Sequence, residues 1–249
     1  MLTVVLDSGD RSRLKENLAA VRARIAAACA RCGRDPAEVR LVAVTKYAGA
    51  DYARSLVELG QHDLGENRVD RLQALSRALG AKFPARWHMV GHLQRNKARK
   101  VASLLHSLHS LDRLELAERL DAARDPSLPP LRAYLQVRLD PDKPSGIAEE
   151  DLPSLAEGLA RLTRVRIVGL MGMPPAGPAE AARPHFARLR HILEENDAVS
   201  GGLSMGMSGD LEVAVEEGAT VVRIGRALLA GLPTAALEED AAALRRGDG

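Results

Sequence analysis

The sequence alternates between short apolar runs and longer segments of helical character, and this alternation restricts the fold more than any other feature. Eight short runs have the length and composition of buried strands. They cover residues 41–46, 62–65, 87–91, 107–111, 131–137, 165–172, 203–205 and 221–224. Strands that alternate with helices form parallel sheets, and eight such units in 249 residues are the number in a (β/α)8 barrel. We therefore predict an α/β fold, a (β/α)8 TIM barrel that occupies residues 1–249 as a single domain. A doubly wound open sheet is the alternative.

A further helix is expected before the first strand. Apolar residues recur at every third or fourth position between Arg11 and Cys32, which is typical of an amphipathic helix. We expect it to cover the barrel as an extra N-terminal helix. Asp51 and Asp112 are predicted to cap the helices that follow them, and the polar segment 93–105 is predicted to be helical. A last helical segment is expected after the eighth strand.

Composition and charge argue against several classes of partner. The formal net charge is only +2, so no strong field attracts nucleic acid or an anionic membrane surface. Aromatic residues make up 2% of the chain, too few for a platform that stacks bases. No apolar run approaches the roughly 18 residues that span a bilayer, and the first ten residues lack the pattern of a signal peptide. We expect a cytoplasmic protein with no nucleic-acid or membrane partner.

Lys46 is the first candidate for chemistry. It follows the apolar run 41–44, so it is predicted to lie at the C-terminal end of a strand, where α/β barrels place their functional residues. A lysine beside apolar walls is more readily neutral, and a neutral amine is the nucleophile that forms a Schiff base with an aldehyde such as pyridoxal phosphate. The alternative is a lysine that simply reaches solvent.

Two loops are candidates for binding phosphate. Small residues at 206–210 follow the seventh strand, and Gly225 and Arg226 follow the eighth. Phosphate groups in barrels of this kind prefer these two loops, where backbone amides and the Ser208 hydroxyl can donate hydrogen bonds. The alternatives are a plain helix cap and a plain strand exit.

Five motifs, in their order along the chain, resemble the pyridoxal phosphate homeostasis protein family. They are LVAVTK (41–46), LGEN (64–67), WHMVGHLQRNK (87–97), LSMGMSGD (203–210) and VRIG (222–225). The resemblance covers nearly the whole chain. Members of this family are similar to the barrel domain of alanine racemase standing alone, so the resemblance implies the same fold as the alternation of strands and helices.

The resemblance also implies roles for individual residues. Lys46 would form the Schiff base with pyridoxal 5′-phosphate, and Arg223 would face the pyridine nitrogen. Ser208 and the backbone amides of Gly225 and Arg226 would hold the phosphate. Asn67 matches a family asparagine close to the cofactor. No catalytic residue and no metal site are predicted.

A protein without evident catalysis is the function that these residues imply. A guanidinium only donates hydrogen bonds, so Arg223 would keep the ring nitrogen unprotonated and weaken the ring as an electron sink. Alanine racemase also relies on a base from a second domain, which we do not expect here because the barrel takes up the 249 residues. The resemblance thus implies a carrier or buffer of pyridoxal phosphate, expected to be a monomer, with dependent apoenzymes as recipients.

Two other functions stay open. A racemase or lyase of the same fold would need a base on the opposite face of the cofactor, usually a tyrosine, and the chain has Tyr47, Tyr52 and Tyr134. A barrel that binds another phosphate ligand is the third hypothesis. The chain also departs from the family at Lys143, which is one place out of step with a family lysine, and at Arg226, where threonine is common.

Three further patterns have simpler explanations. Cys29 and Cys32 form a lone CxxC inside a helical stretch, so free thiols are expected. His88 and His92 are predicted on a strand and its exit, which does not suit a metal site. The basic run 95–100 is predicted to be a solvated face.

Overall fold

Eight parallel strands hydrogen-bond in chain order, and the eighth returns to the first to close a barrel. The computed structural model describes residues 5–46, 48–143 and 145–233. The strands are β1 (Arg40–Val44), β2 (Asp63–Glu66), β3 (Arg86–Met89), β4 (Leu105–Leu111), β5 (Leu131–Gln136), β6 (Val165–Met171), β7 (Gly202–Ser204) and β8 (Val221–Ile224). Closure is made by the pairing of β1 with β8, in which Leu41 lies opposite Val222. The predicted barrel is confirmed, and the open sheet is excluded.

The described residues contain seven α-helices: one precedes β1, and each of the other six connects two successive strands. They are α1 (Ser8–Arg31), α2 (Ala50–Glu58), α3 (Val69–Leu79), α4 (Leu114–Ala123), α5 (Leu152–Leu159), α6 (Arg183–Glu195) and α7 (Leu211–Glu216), as far as the described residues extend. The predicted N-terminal helix is confirmed as α1, whose first turn is closed by a capping box between Asp7 and Asp10. The final segment, 234–249, lies outside the described residues, so the predicted last helix and the single domain over 1–249 stay predictions.

The helix α1 fastens the beginning of the chain to its later part. Its buried stripe of Leu14, Leu18, Val21 and Ile25 faces the barrel, and it packs against α7. Arg24 binds Glu212 of α7 at 2.6 Å. The side chain of Asn17 donates to the carbonyls of Leu228 and Ala230 at 3.0 and 2.9 Å.

Three local predictions were wrong. The segment after β3 forms a short 3-10 helix, Arg95–Lys100, with Ala98 as its one buried residue, because it lacks an apolar face that could hold an α-helix on the barrel. Asp51 does not cap α2, which starts after Gly49. Its carboxylate accepts instead from the backbone N–H of Leu6 and from Arg11. Asp112 binds the guanidinium of its neighbour Arg113 at 2.8 Å rather than capping α4.

The barrel interior is partly apolar and partly polar. One small cluster inside the barrel is formed by Val42, Tyr134, Met171 and Val221, while a much larger apolar core lies between the strands and the helices. The polar part is described below because it reaches the candidate site. No helix within the described ranges is long and apolar enough to cross a membrane.

Candidate functional site

A cavity of about 410 Å³ opens at the C-terminal ends of the strands. All six residues predicted to bind the cofactor line it together, although they come from four different strand ends. They are Lys46 after β1, Asn67 after β2, Ser208 after β7, Arg223 in β8, and Gly225 and Arg226 after β8. Val44, Val90, Gly91, Met173 and Met207 complete the lining. A groove of about 520 Å³ between Glu149 and Asn196 lies elsewhere, on the α5–α6 surface, and contains none of these residues.

The loop that carries Lys46 is held by a cluster that sequence reasoning missed. One nitrogen of Arg71, on α3, donates to the carbonyl of Thr45 at 3.2 Å and to that of Ala48 at 2.7 Å. The two carbonyls flank Lys46, so Arg71 clamps the loop on both sides of it. No periodic pattern marks Arg71 in the sequence, because its role depends on α3 packing beside α2 and β2.

The carboxyl of Glu66 lies beneath the same loop. It accepts a hydrogen bond of 2.6 Å from the Thr45 hydroxyl and lies 3.5 Å from Arg71. Burial raises the pKa of Glu66, while the Thr45 hydroxyl and the Arg71 charge oppose that rise. Lys46 itself is half-buried at the wall of the cavity.

Arg223 is a buried cation that donates three hydrogen bonds to the barrel wall. It is 5% exposed. One terminal nitrogen donates to the carbonyl and the hydroxyl of Ser204 at 2.6 and 2.7 Å, and the other donates to the Gly172 carbonyl at 3.2 Å. Burial lowers the pKa of Arg223 to about 10, with the charge of Asp210 in opposition. The guanidinium is therefore still protonated at neutral pH.

A chain of hydrogen bonds connects Arg223 with the opposite end of the barrel. The Ser204 hydroxyl contacts Nδ1 of His109 at 2.7 Å, and Nε2 of His109 contacts Nδ1 of His88 at 2.9 Å. Nε2 of His88 lies 2.9 Å from the Asp63 carboxylate. The four residues Asp63, His88, His109 and Ser204 are at most 6% exposed.

The protons in this chain have one consistent arrangement. Burial lowers the pKa of His88 and of His109, so both rings are neutral at pH 7. His88 must then donate from Nε2 to the Asp63 carboxylate and accept at Nδ1 from His109. His109 in turn accepts at Nδ1 from the Ser204 hydroxyl, which accepts from Arg223. Every hydrogen bond in the chain therefore runs from Arg223 toward Asp63. This network fixes the orientation of the Arg223 guanidinium.

Asp63 is the anionic end of the chain. Burial alone would raise the pKa of Asp63, but hydrogen bonds from His88 and Arg86 outweigh it, so the pKa is lowered and the group stays ionised. His106 lies nearby, and its pKa falls to about 4 because of burial and the neighbouring His88. No local pattern in the sequence joins His109 to Arg223.

We expect stability to fall as the pH falls below about 6.5. A histidine whose pKa is lower in the folded state than in the unfolded state binds fewer protons when the protein is folded. Its contribution to the free energy of unfolding is therefore fully present above pH 6.5 and is lost as the pH falls toward the folded-state pKa. For His106 this window is pH 6.5 to about 4. Urea unfolding across this range, in buffer without phosphate, should show a shallower pH dependence for His106→Gln, by up to about 1.4 kcal/mol per pH unit. His191→Gln, at an exposed position on α6, is the control; equal slopes for both variants would contradict the assignment.

The two loops predicted to hold phosphate contact each other. The Ser208 hydroxyl accepts from the backbone N–H of Ala227 at 3.2 Å, which joins the loop after β7 to the loop after β8. A Cβ atom at position 225 would lie 3.3 Å from the Val44 carbonyl, so glycine lets the β8 loop approach the end of β1. Arg226 is exposed at the rim. Asp210 accepts from the Met207 N–H at 2.6 Å and does not cap α7 with its side chain.

Asn67 offers a polar atom that the protein leaves unused. Its side-chain oxygen is buried and has no hydrogen-bond partner among the described residues. Buried polar atoms without partners are rare in folded proteins and are frequently found where a ligand or water completes the site. Because Asn67 lines the cavity, this observation fits a site that is completed by a polar ligand.

The candidates for a second catalytic group lie elsewhere or outside the described residues. Tyr52 is a buried residue of α2. Its hydroxyl donates to the Pro233 carbonyl, and burial raises the pKa of Tyr52 to about 12. Tyr134 stacks on His109 inside the barrel, with ring centres 4.7 Å apart. Lys143 binds Asp140 at 2.9 Å in the loop after β5. Tyr47 lies outside the described residues.

The remaining sequence patterns form no second site in the described chain. Cys29 and Cys32 are free thiols, as predicted. His88 lies inside the barrel and His92 is exposed, so the two do not make a pair. Ligand atoms of Asp63, His88 and His106 lie within 4.8 Å of one another, but Arg86 already binds both oxygens of Asp63. A cation would have to displace that arginine.

The comparisons with known proteins agree on one family. The model of the alanine racemase N-terminal domain family matches residues 16–233. A protein of Pseudomonas aeruginosa named pyridoxal phosphate homeostasis protein is 44% identical over 219 residues, which is 87% of this chain and 95% of that protein. A protein of the same name from Escherichia coli K12 is 36% identical over 230 residues, or 86% of this chain and 95% of that one.

Solved structures show the same fold. PipY of Synechococcus elongatus PCC7942, determined with pyridoxal phosphate bound, has a TM-score of 0.74 and 35% identity, and the match covers 86% of this chain and 99% of PipY. Alanine racemase of Clostridium difficile 630 has a TM-score of 0.68 at 13% identity, with 90% of this chain and 58% of that chain covered. The second likeness concerns the fold alone.

Proposed function

Because this chain belongs to the pyridoxal phosphate homeostasis protein family, we propose that it binds pyridoxal 5′-phosphate as a Schiff base on Lys46. We further propose that it serves as an intracellular carrier or buffer of this cofactor. The observation that carries the proposal is the convergence of Lys46, Arg223 and the two phosphate-type loops on one cavity.

The cavity suits the cofactor in size and in chemistry. Its volume of about 410 Å³ falls in the range of small-molecule sites, roughly 300–1,000 Å³. The Ser208 hydroxyl and the backbone around Gly225 and Arg226 supply donors for a phosphate, and the exposed Arg226 adds a cation at the rim. The unused oxygen of Asn67 supplies an acceptor for a polar group.

Arg223 and the hydrogen-bond chain behind it would set the electronic state of the ligand. When bound, pyridoxal phosphate supplies an aldehyde for the link to lysine and a ring that can draw electrons. Arg223 is a cation that only donates hydrogen bonds, and Ser204 and Gly172 hold it in place. Beside the ring nitrogen, it would disfavour protonation of that nitrogen. The protein's own residues would thus weaken the ring as an electron sink.

The lining of the cavity favours binding over catalysis. Among the described residues that line it, the titratable groups are Lys46, Arg223 and Arg226, with no carboxylate, histidine or tyrosine. An arginine does not exchange protons near neutral pH, so Lys46 is the one candidate base in that set. A racemase needs a base on each face of the substrate carbon. We therefore propose a protein without evident catalysis. We further propose that it is monomeric and cytoplasmic and that it supplies the cofactor to dependent apoenzymes.

The test is an absorbance spectrum of the purified protein loaded with pyridoxal phosphate, before and after borohydride. We expect a visible band that borohydride removes, with the reduced adduct mapped to the peptide that contains Lys46. A colourless protein that does not take up the cofactor would contradict the proposal and favour a barrel for another phosphate ligand. Rapid exchange of the α-proton of alanine in deuterated water would instead favour a racemase.

Replacing Arg223 should strengthen the ring as an electron sink. In Arg223→Glu a carboxylate can stabilise a proton on the ring nitrogen, so we expect the absorbance to become pH-dependent. We also expect slow α-proton exchange to rise by about tenfold or more, which corresponds to about 1.4 kcal/mol in the barrier. Deuterium exchange followed by NMR measures this rate. Arg223→Gln keeps an amide donor without a carboxylate and should show a smaller change; wild-type spectra in both folded variants would mean that Arg223 does not face the ring nitrogen.

A further inference from the structure

Four arginines line the opposite end of the barrel, at the N-terminal ends of the strands. Each lies two positions before a residue of the barrel interior, and side chains in a strand alternate between its two faces. The arginines are therefore on the inner side of this opening, which we call the lower mouth. Its arginines are Arg40, Arg86, Arg132 and Arg166, and the interior residues that follow them are Val42, His88, Tyr134 and Val168.

The lower mouth carries more positive charge than its own carboxylate neutralises. Asp63 binds Arg86 through two hydrogen bonds of 2.8 and 2.7 Å and lies 3.5 Å from Arg40. Arg132 interacts with the Tyr134 hydroxyl, but neither Arg132 nor Arg166 forms an ion pair with a residue in the described part of the chain. They are register partners on β5 and β6, and like charges directly opposite each other destabilise a sheet.

Two cavities meet at Arg132 and Arg166. One, of about 490 Å³, is lined by Arg132 and Arg166 together with Arg40 and the hydroxyl residues Ser200 and Thr220. Glu38 also lines it, but its carboxylate binds Arg34 at 3.2 Å. The second cavity, of about 470 Å³, is lined by the same pair together with Arg86 and His106.

His106 gives a second sign that the lower mouth is incomplete. Its Nε2 atom is buried and has no hydrogen-bond partner among the described residues. Guanidinium groups present paired donors that match the oxygens of phosphates and carboxylates. A cation is disfavoured by the same arginines. The opening thus has unused charge, unused polar atoms and room for a small ligand.

We propose that the lower mouth binds a small multivalent oxyanion, a phosphate- or carboxylate-bearing metabolite, through Arg132 and Arg166. This site is separate from the cofactor cavity, since the two openings lie at opposite ends of the barrel and share no lining residue. The ligand would neutralise the paired guanidinium groups and accept hydrogen bonds from them. The inference goes beyond the proposed function, and only its test uses the cofactor, to fill the upper loops.

The test uses the protein loaded with pyridoxal phosphate, so that the upper phosphate loops are already filled. Thermal unfolding is measured with inorganic phosphate, with citrate and with chloride at one constant ionic strength. A probe at about ten times its dissociation constant should raise the melting temperature by about 3–6 °C relative to chloride. A response to phosphate alone assigns a phosphate-bearing ligand, and a response to citrate alone assigns a carboxylate-bearing one.

Variants locate the response. The double variant Arg132→Gln/Arg166→Gln should lose it, and in chloride its melting temperature should equal or exceed that of the wild type, because a repulsive pair has been removed. Arg77→Gln, at an exposed position on α3, should keep the response. The proposal is overturned if neither probe stabilises the protein, or if the double variant responds like the wild type.

Discussion

Lys46→Ala is expected to abolish the visible absorbance of the protein loaded with pyridoxal phosphate, together with all borohydride-dependent labelling. Lys46 is the lysine that lines the strand-end cavity in the described structure, and its backbone is fixed from both sides by Arg71. An alanine there removes the amine without disturbing the carbonyls that Arg71 binds. The measurement is the spectrum of the variant after incubation with excess cofactor and removal of the unbound fraction.

Two other lysine variants make the result specific. Lys100→Ala changes an exposed lysine of the 3-10 helix and should leave the spectrum unchanged. Lys143→Ala removes a lysine that binds Asp140 and should also keep the band. If Lys46→Ala retained a band that Lys143→Ala lost, the Schiff base would belong to the loop after β5, and the proposed site would be wrong.

Gly169→Ala is expected to destabilise the barrel by about 3 kcal/mol or more, the range in which strong steric overlap and backbone strain combine. Gly169 of β6 lies opposite Gly202 of β7. An added Cβ atom would come within 1.8 Å of the Gly202 carbonyl oxygen, and the φ of Gly169 is +136°. Both atoms in this clash are fixed by strand pairing, so no side-chain movement relieves it. Urea unfolding should show a much lower midpoint, or expression should yield little folded protein.

Gly209→Ala is the matched control. Gly209 lies in the loop after β7, and nothing lies within 4 Å of a Cβ atom built there. We expect its unfolding free energy to stay within about 1 kcal/mol of the wild type. Unfolding midpoints that agree for the two variants would show that β6 and β7 can separate at this point.

The barrel could be predicted because buried parallel strands appear as continuous apolar runs. The run at 41–44 is such a case: four buried residues precede Thr45 and Lys46, and the run alone indicates where the strand ends. Strand ends in turn indicate the functional face of a barrel. The grouping of Lys46, Ser208 and Gly225 around one cavity was therefore accessible from sequence, whereas their binding roles are proposals.

Other features depend on contacts that no local pattern reveals. The chain from Asp63 to Arg223 joins side chains on β2, β3, β4, β7 and β8, and its two histidines are 21 residues apart. Which of them meet is decided by barrel closure and by the register irregularities beside β4. The caps predicted at Asp51 and Asp112 failed for a similar reason, because arginines distant or adjacent in sequence bind these carboxylates more favourably.

The attachment of α1 to α7 has a consequence for synthesis on the ribosome. The partners Arg24 and Glu212 are 188 residues apart, an interval that takes about 10–40 s to translate at typical rates. During that time the stripe of Leu14, Leu18, Val21 and Ile25 has no barrel to cover, and β1 lacks its partner β8. The nascent chain therefore exposes an apolar surface until almost the whole barrel has been made, and we expect molecular chaperones to bind this first helix in the cell.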